Sequence, residues 1–453
     1  MATARHRVVD SDRNGFYHCI GRCVRQYELC GRDPTSGRDL NYRKQWIVDR
    51  ARVLSQLFAV DILTPAVMSN HYHLVLKVRP EDVREWSDRE VIRRWLQISD
   101  LWSLDQTITE PAAEHVDEAL ADKPRVAELR LRLGSISWYM KYLNEYIARC
   151  ANREDDCRGH FWSGRFGCRR LMDERSLLTC MMYVDLNPVR AGLAESIGER
   201  QVTGAFIRYR AQRAHRTLPG LYRRLKSCLH ISRNVVLSQD DLDRLASQML
   251  EELGSSSLSG GHGYSDAGMA HRADLIGKCA TSDGLAELKR AAIRGRVLSD
   301  SVSRKRLLKL VRAIADQKLA AMESDWLMPL DGKRTPVRGL SLQSYLRLLD
   351  ETGRRARADK PGVVQANVPS VLQALRIDAD AWLVAFDEFI LRFPVVAGEQ
   401  ENLRNWALRK GRKWCRGVRF AKRLLGSTCL RLPGDAGALN KDRSQSERPA
   451  APG

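Results

Sequence analysis

Two eight-residue runs, Val60–Val67 (VDILTPAV) and His71–Val78 (HYHLVLKV), are separated only by Met68-Ser69-Asn70. No other stretch limits the fold so tightly. Both runs are apolar and read as strands, and the spacer suits an antiparallel hairpin. Gly15–Val24 (GFYHCIGRCV) reads as a further strand. Its alternation places Phe16, His18, Ile20 and Arg22 on one face and Tyr17, Cys19, Gly21 and Cys23 on the other.

Helical patterns surround these strands. Leu40–Val60 carries an apolar stripe of Ile47, Val48, Ala51, Leu54, Leu57 and Phe58. Residues 80–133 read as mostly helical, with a break near Pro111. Ser135–Cys150 repeats Ile136, Met140, Leu143 and Ile147 at helical spacing. Gly159–Phe166 reads as a loop rich in aromatics and arginine. Glu174–Leu186 is helical and stopped by Asn187-Pro188, with Pro188 biasing Asn187 out of the helical region. Beyond residue 200 the pattern is mainly helical. Ser238 with Asp241 resembles an N-cap for a helix to Leu253. Residues 254–268 have linker composition, 280–325 and 340–392 read as helical blocks, and 434–453 as a disordered tail. No internal repeat is visible.

The chain has 453 residues, enough for two or three domains, and 43% are apolar, as in soluble proteins. No apolar stretch approaches the ~18 residues of a membrane span. The first residues are basic with no apolar stretch behind them, so no signal peptide is expected. The 11 cysteines argue for a reducing cytosol rather than a disulfide scaffold. Cys19, Cys23 and Cys30 cluster, as do Cys150, Cys157 and Cys168, but neither set has the spacing of a structural zinc site.

The net charge of +20 points first to nucleic acid as partner, and second to an anionic membrane surface. Residues 1–200 hold 31 Lys+Arg against 29 Asp+Glu, and residues 201–453 hold 44 against 26. The excess therefore sits in the second half. Its densest run is 404–423, with Arg404, Arg409, Lys410, Arg412, Lys413, Arg416, Arg419, Lys422 and Arg423 and no acidic residue. Trp406, Trp414 and Phe420 are interleaved. Cations neutralise phosphates and aromatics stack unpaired bases. The competing reading is a basic helix that packs its tryptophans into a core.

Three motifs carry chemistry. On a strand, His71 and His73 project to one face while Tyr72 and Leu74 point away. Two neutral imidazoles can hold two positions of a divalent cation, although His-x-His also occurs by chance. In YVDLNPVRAGL (183–193), Tyr183 and Asn187 stand four apart on a helical face. A tyrosine oxygen can attack a phosphodiester, and an amide oxygen can supply a third ligand. The plain alternative is a tyrosine at the tip of an amphipathic helix. In GHFWSGRF (159–166), Arg165 could grip a phosphate and Trp162 or Phe166 could stack a base, or the aromatics could be buried under the sheet.

MSNHYHLVL (68–76), GHFWSGRF (159–166) and YVDLNPVRAGL (183–193), taken in order, resemble the single-tyrosine HUH transposases, most of all the REP-associated tyrosine transposase branch. The resemblance covers roughly residues 14–195. It implies an α+β fold: a ferredoxin-like antiparallel sheet with the HUH pair on a central strand and helices on one face. It implies metal-dependent cleavage and rejoining of single-stranded DNA at hairpin or palindromic elements through a 5′-phosphotyrosine. Tyr183 matches the nucleophile, His71 and His73 the metal ligands, and Asn187 the amide ligand, with Mg²⁺ or Mn²⁺ as the cofactor. It also implies a cytoplasmic, nucleoid-associated bacterial protein. One tyrosine per chain means that two cleavages need either a homodimer or repeated use of one site.

This chain departs from the pattern at Tyr72, which carries a hydroxyl, and at Asn187, where related branches have glutamine. The resemblance implies a catalytic domain over 14–200 and does not explain the rest; pattern, composition and charge there give a helical extension over 201–253, a linker over 254–268, a basic helical region over 269–433 expected to bind nucleic acid, and a tail over 434–453. Its DNA-contact candidates are Arg165, Trp162, Arg409, Lys410, Arg412, Lys413, Trp414, Arg416 and Arg419. Tyr142 and Tyr146 are also spaced i, i+4, the arrangement of two-tyrosine replication initiators and relaxases. No GxxxxGK[ST] loop accompanies them. A regulator that binds DNA or RNA without cleaving it is the alternative of a different class.

Overall fold

The computed structural model describes residues 7–24, 30–32, 37–101, 107–193, 202–228, 301–332, 335–355 and 388–422. The expected helix from Ser238, the linker over 254–268, Arg423 and the tail over 434–453 lie outside them. So do the first part of the 280–325 block and residues 356–387 of the 340–392 block. None of the described helices is long and apolar enough to cross a membrane.

Two compact units do not follow chain order. One is drawn from residues 1–91, 120–205 and 327–453, the other from 92–119 and 206–326. The expected basic region over 269–433 thus contributes its residues from 327 onward to the unit that holds the sheet.

In that unit the strands are β1 (Gly15–Arg22), β2 (Val60–Val67), β3 (His71–Val78), β4 (Gly167–Leu171) and β5 (Val396–Ala397), in the order β2-β3-β1-β4-β5. The hairpin β2–β3 has the expected bounds. Helix α1 (Arg43–Leu57) follows β1; after β3 come α2 (Asp82–Glu85), α3 (Asp88–Asp100), α4 (Ala113–Leu120), α5 (Lys123–Leu133) and α6 (Ile136–Glu154). Then come β4, α7 (Glu174–Asp185), α8 (Asn187–Arg190) and α9 (Gly204–Cys228). Strands β1 to β4, with α1 and α6 as the long crossovers, have the split βαβ order of an α+β sandwich.

The two sheet faces differ. Tyr17, Cys19, Tyr72, Leu74 and Leu76 are all buried on one face. There Tyr72 donates its hydroxyl to Asn144 of α6, and Tyr139 of α6 donates to the Ala51 carbonyl of α1 at 2.9 Å. The opposite face carries His18, Thr64 and His73 and packs against α7.

Three expectations are corrected. The sheet is mixed rather than wholly antiparallel, because β5 runs parallel to β4. Helices cover both faces rather than one, because α7 packs on the histidine face. Asn187 opens the short helix α8 instead of leaving the helical region, since Pro188 falls in its first turn, where a missing N–H costs nothing.

Local chemistry explains the ends of the elements. Asp173 and Ser176 form a reciprocal capping box that starts α7. Asp122 caps α5 by accepting from the Arg125 amide at 2.9 Å. The other unit is helical. In it Ala214, Ala320 and Ala321 pack with Leu218, and Thr217 bonds Gln317 at 3.0 Å.

A glycine makes room for Tyr72. Gly21 is its register partner on β1, and a Cβ there would lie 2.4 Å from the Tyr72 ring. Gly21→Ala should therefore destabilise the fold by about 1–3 kcal/mol through overpacking, read as a lower urea midpoint with an unchanged slope. An unchanged midpoint would show that the ring moves aside without cost.

Candidate active site

Register builds the site. Ile20 lies opposite His73, Arg22 opposite His71, and His18 opposite both Val75 of β3 and Arg169 of β4. His18, His71, His73 and Arg169 therefore share one face. His18 is fully buried, and His73 is nearly so.

A continuous hydrogen-bonded chain runs across this face. A terminal nitrogen of Arg169 lies 2.9 Å from Nδ1 of His18. Nε2 of His18 lies 2.9 Å from Nδ1 of His73. Nε2 of His73 lies 3.2 Å from Nδ2 of Asn187. The His18 and His73 rings are stacked, 5.1 Å between centres. His71 is half-buried, and its Nδ1 lies 2.6 Å from Oδ1 of Asn70.

Helices α7 and α8 bring the remaining groups. The half-buried Tyr183 ring stands edge-on to His73 at 5.9 Å and to His18 at 6.4 Å. Arg190 places its guanidinium 5.3 Å from the Tyr183 ring centre. Between Tyr183 and Asn187, the buried Asp185 ties the end of α7 down. Its carboxylate accepts from the hydroxyls of Thr64 and Tyr345 and from the Ala205 amide, the last at 3.0 Å. Arg169 is anchored from a distant segment, donating to the carbonyls of Phe393 and, at 3.2 Å, Ile390.

The electrostatics favour neutral imidazoles. Burial holds His18 well below its ordinary value, and the neighbouring His73 and Arg169 add to the effect. Burial does the same to His73, followed by His71, Arg169 and Arg22. Burial and then Arg22 bring His71 down to about 4. Burial also lowers Arg169.

The structure thus brings His71, His73, Tyr183 and Asn187 together. Tyr142 and Tyr146 lie elsewhere: they belong to α6, on the far side of the sheet, where Tyr146 is buried under the Arg50 guanidinium at 4.5 Å. In the 159–166 loop, Phe161 is buried, and Trp162 stands edge-on to Tyr72 while donating to the Asn144 carbonyl at 2.8 Å. Arg165 is exposed. The loop lies at the His71 end of the sheet, since the Ser163 amide bonds the Arg22 carbonyl at 2.9 Å.

The basic run is mixed in character. Trp406 is buried, whereas Trp414 is 76% exposed. Arg409, Lys413, Arg416 and Arg419 are exposed and Arg412 is partly so, while Lys410 pairs with Asp10 at 2.5 Å.

Sequence reasoning passed over His18, Arg169, Asp185, Arg190 and Tyr345. His18 could be placed on the right strand face, but Arg169 lies in GCRRL, whose adjacent arginines do not suggest a buried strand.

Among the described residues no three His, Cys, Asp or Glu side chains converge as a metal site. The set available here is two imidazoles and an amide, a mixed nitrogen and oxygen set that suits Mn²⁺ better than Mg²⁺. With the Asn187 amide turned so that its oxygen takes the place of Nδ2, the 3.2 Å to Nε2 of His73 is compatible with adjacent ligands of one octahedral ion, which sit about 3 Å apart for ~2.1 Å bonds. The residues fit a divalent cation.

The fold and site together define an α+β protein with a histidine- and tyrosine-lined face on a mixed five-stranded sheet. No protein-family model matches the chain, and no curated protein matches it in sequence. Among solved structures it is similar to a REP-associated tyrosine transposase bound to a REP hairpin, at 10% identity and a TM-score of 0.27. The match covers 45% of this chain and 82% of that one. A likeness at that level carries nothing about chemistry, which rests on the site itself.

The depressed imidazoles fix a sign. Above the unfolded histidine value of ~6.5 these groups are neutral in both states and add no pH dependence. Below it the unfolded chain takes up protons that the folded site refuses, so stability falls as pH drops toward the folded values. Each fully buried imidazole contributes a slope of at most about 1.4 kcal/mol per pH unit. Urea denaturation at pH 7.5 and 5.5 should show the loss, and His18→Gln should reduce it. Equal slopes for the two proteins would contradict a neutral His18.

Proposed function

We propose that this protein is a metal-dependent DNA strand transferase that cleaves and rejoins single-stranded DNA at hairpin-associated sites through Tyr183. One observation carries the reading. Tyr183 and Asn187, more than 100 residues beyond the His71/His73 pair, meet His73 on one sheet face at 5.9 Å (ring centres) and 3.2 Å respectively.

The phenolic oxygen of Tyr183 attacks the scissile phosphorus. An O–P bond forms to the tyrosine, and the bond from phosphorus to the 3′ oxygen breaks. The phenol gives up its proton, and the departing 3′ oxygen takes one up as a hydroxyl. Rejoining reverses the step with an incoming 3′-OH. His71, His73 and Asn187 would hold a divalent cation, which supplies polarisation of the phosphate and offsets its developing charge. Arg190 beside the Tyr183 ring and Arg22 beside His71 add fixed positive charge where a phosphate would lie.

The exposed part of the basic run supports a second role in the same protein, holding flanking DNA. Arg409, Lys413, Arg416 and Arg419 offer charge there, and Trp414 offers an open stacking face.

The decisive experiment incubates the full chain with hairpin-flanked oligonucleotides and Mn²⁺, then scores covalent protein–DNA adducts. Tyr183→Phe should abolish the adduct and Tyr142→Phe should retain it. An undiminished adduct from Tyr183→Phe overturns the assignment. Separately, glutamine at Arg409, Lys413, Arg416 and Arg419 together should lower the salt slope of single-strand binding by about 3, at ~0.7 per phosphate contact. An unchanged slope would remove this segment from the DNA interface.

A further inference from the structure

The direction of the hydrogen-bond chain can be worked out from its one unambiguous end. A guanidinium has five N–H donors and no acceptor. Arg169 therefore donates to Nδ1 of His18, and that nitrogen carries no proton. The imidazole must then carry its proton on Nε2, which lies 2.9 Å from Nδ1 of His73. Nδ1 of His73 is thus an acceptor, and His73 in turn carries its proton on Nε2, the nitrogen that faces Asn187. A protonated Nε2 calls for the oxygen end of the Asn187 amide, reached by a half-turn that leaves the side chain otherwise in place.

His71 comes out the opposite way. Oδ1 of Asn70 accepts from Nδ1 of His71 at 2.6 Å, which leaves Nε2 of His71 unprotonated. The two histidines of the pair are therefore not equivalent. One presents a lone pair, the other a proton.

We infer that Arg169 is a positioning residue that sets a one-way chain, Arg169 to His18 to His73 to Asn187, and so fixes His73 with its Nε2 protonated in the metal-free protein. The inference deepens the reading above, because that nitrogen is the one a cation would need. Reversing the chain would put a proton on Nδ1 of His18, directly against an Arg169 N–H. Arg169 is not free to retreat, since the carbonyls of Phe393 and Ile390 hold its other nitrogens. The segment around 390–393 thus reaches the proposed metal position through three hydrogen-bonded side chains. Outer partners of metal-binding histidines ordinarily accept a proton from the ring and favour ligation. Here the partner of His73 donates instead, so a cation would be held at Nε2 of His73 only in competition with this hydrogen-bond chain, and more weakly than without it.

The direct test is ¹⁵N imidazole NMR of the metal-free full chain with labelled histidine. The expected result is the Nε2–H tautomer for both His18 and His73, and Nδ1–H for His71. Arg169→Met and, independently, His18→Phe should release the fixed tautomer of His73. His18→Phe keeps a ring in place and removes only its nitrogens, so it covers the case in which the arginine variant fails to fold. Each variant should also bind Mn²⁺ about tenfold more tightly than the parent, read by calorimetry. A Nδ1–H tautomer for His73 in the parent, or variants with parental tautomer and Mn²⁺ affinity, overturns the inference. The tautomers are read without DNA or metal, so a failed adduct assay and a failed polarity are separate results.

Discussion

The antiparallel register of β1 against β3 decides what this protein can do. It sets Ile20 against His73, Arg22 against His71 and His18 one pair further along. A slip of one residue would turn every side chain of a strand to the other face and dismantle the histidine cluster. Packing on the reverse face resists that slip. Tyr72, buried between the two histidines in sequence, fits only because its partner Gly21 has no side chain. Its hydroxyl is satisfied by Asn144, so the large residue is neither strained nor left with an unpaired polar group. The departure at Tyr72 thus becomes, together with Gly21, a register lock.

The second half of the chain completes the first. Arg169, Asp173 and Asp185 are buried or partly buried charges on β4, on α7 or just ahead of α7, and each takes partners from beyond residue 340. Phe393 and Ile390 accept from Arg169, Tyr345 donates to Asp185, and the Glu399 amide and Asn402 donate to Asp173. A buried charge deprived of its hydrogen bonds is costly. A fragment ending near residue 200 would leave three such groups short of partners at the sheet edge and beneath the helix that carries Tyr183. The short β5, pairing with β4 through Val396 and Ala397, belongs to the same attachment.

Much of this was legible in the sequence, for reasons that differ by element. The β2–β3 hairpin shows as two apolar runs about a short spacer and α6 as a long helical stripe, whereas Tyr183, Asn187 and the two histidines stand out through the ordered motifs that carry the resemblance, each motif alone being a weak signal. Strands β4 and β5 do not. Each is too short for alternation, and β4 contains two arginines whose burial depends on partners between 153 and 224 residues away. Pro188 reads in the sequence as a stop because proline usually ends a helix, yet at the first turn of α8 it opens one. The basic run concealed two environments, since charge alone does not tell the buried Trp406 from the exposed Trp414. Asp185 and Tyr345 carried no local signal at all. Their pairing is purely tertiary.

Charge at the site is unlike charge over the chain. The first 200 residues hold 31 basic and 29 acidic residues, so their own charge is nearly balanced. Yet Arg22, Arg169 and Arg190 all bear on the histidine cluster or on Tyr183. The three differ in reach. Arg169 is buried, with its N–H groups committed inward, so it acts on the imidazoles rather than on anything that binds. Arg22 is exposed beside His71, and Arg190 stacks on the Tyr183 ring, so both can meet an incoming group. Burial keeps the imidazoles neutral, with the inward arginine adding to it at His18 and His73, while the outward pair leaves the mouth of the site positive. On the proposed reading a phosphodiester is then attracted by these guanidinium charges, and the histidines remain uncharged rather than competing cations. That division of labour needs only three placed arginines, which is why a nearly neutral half of the chain can still present a site suited to a phosphate.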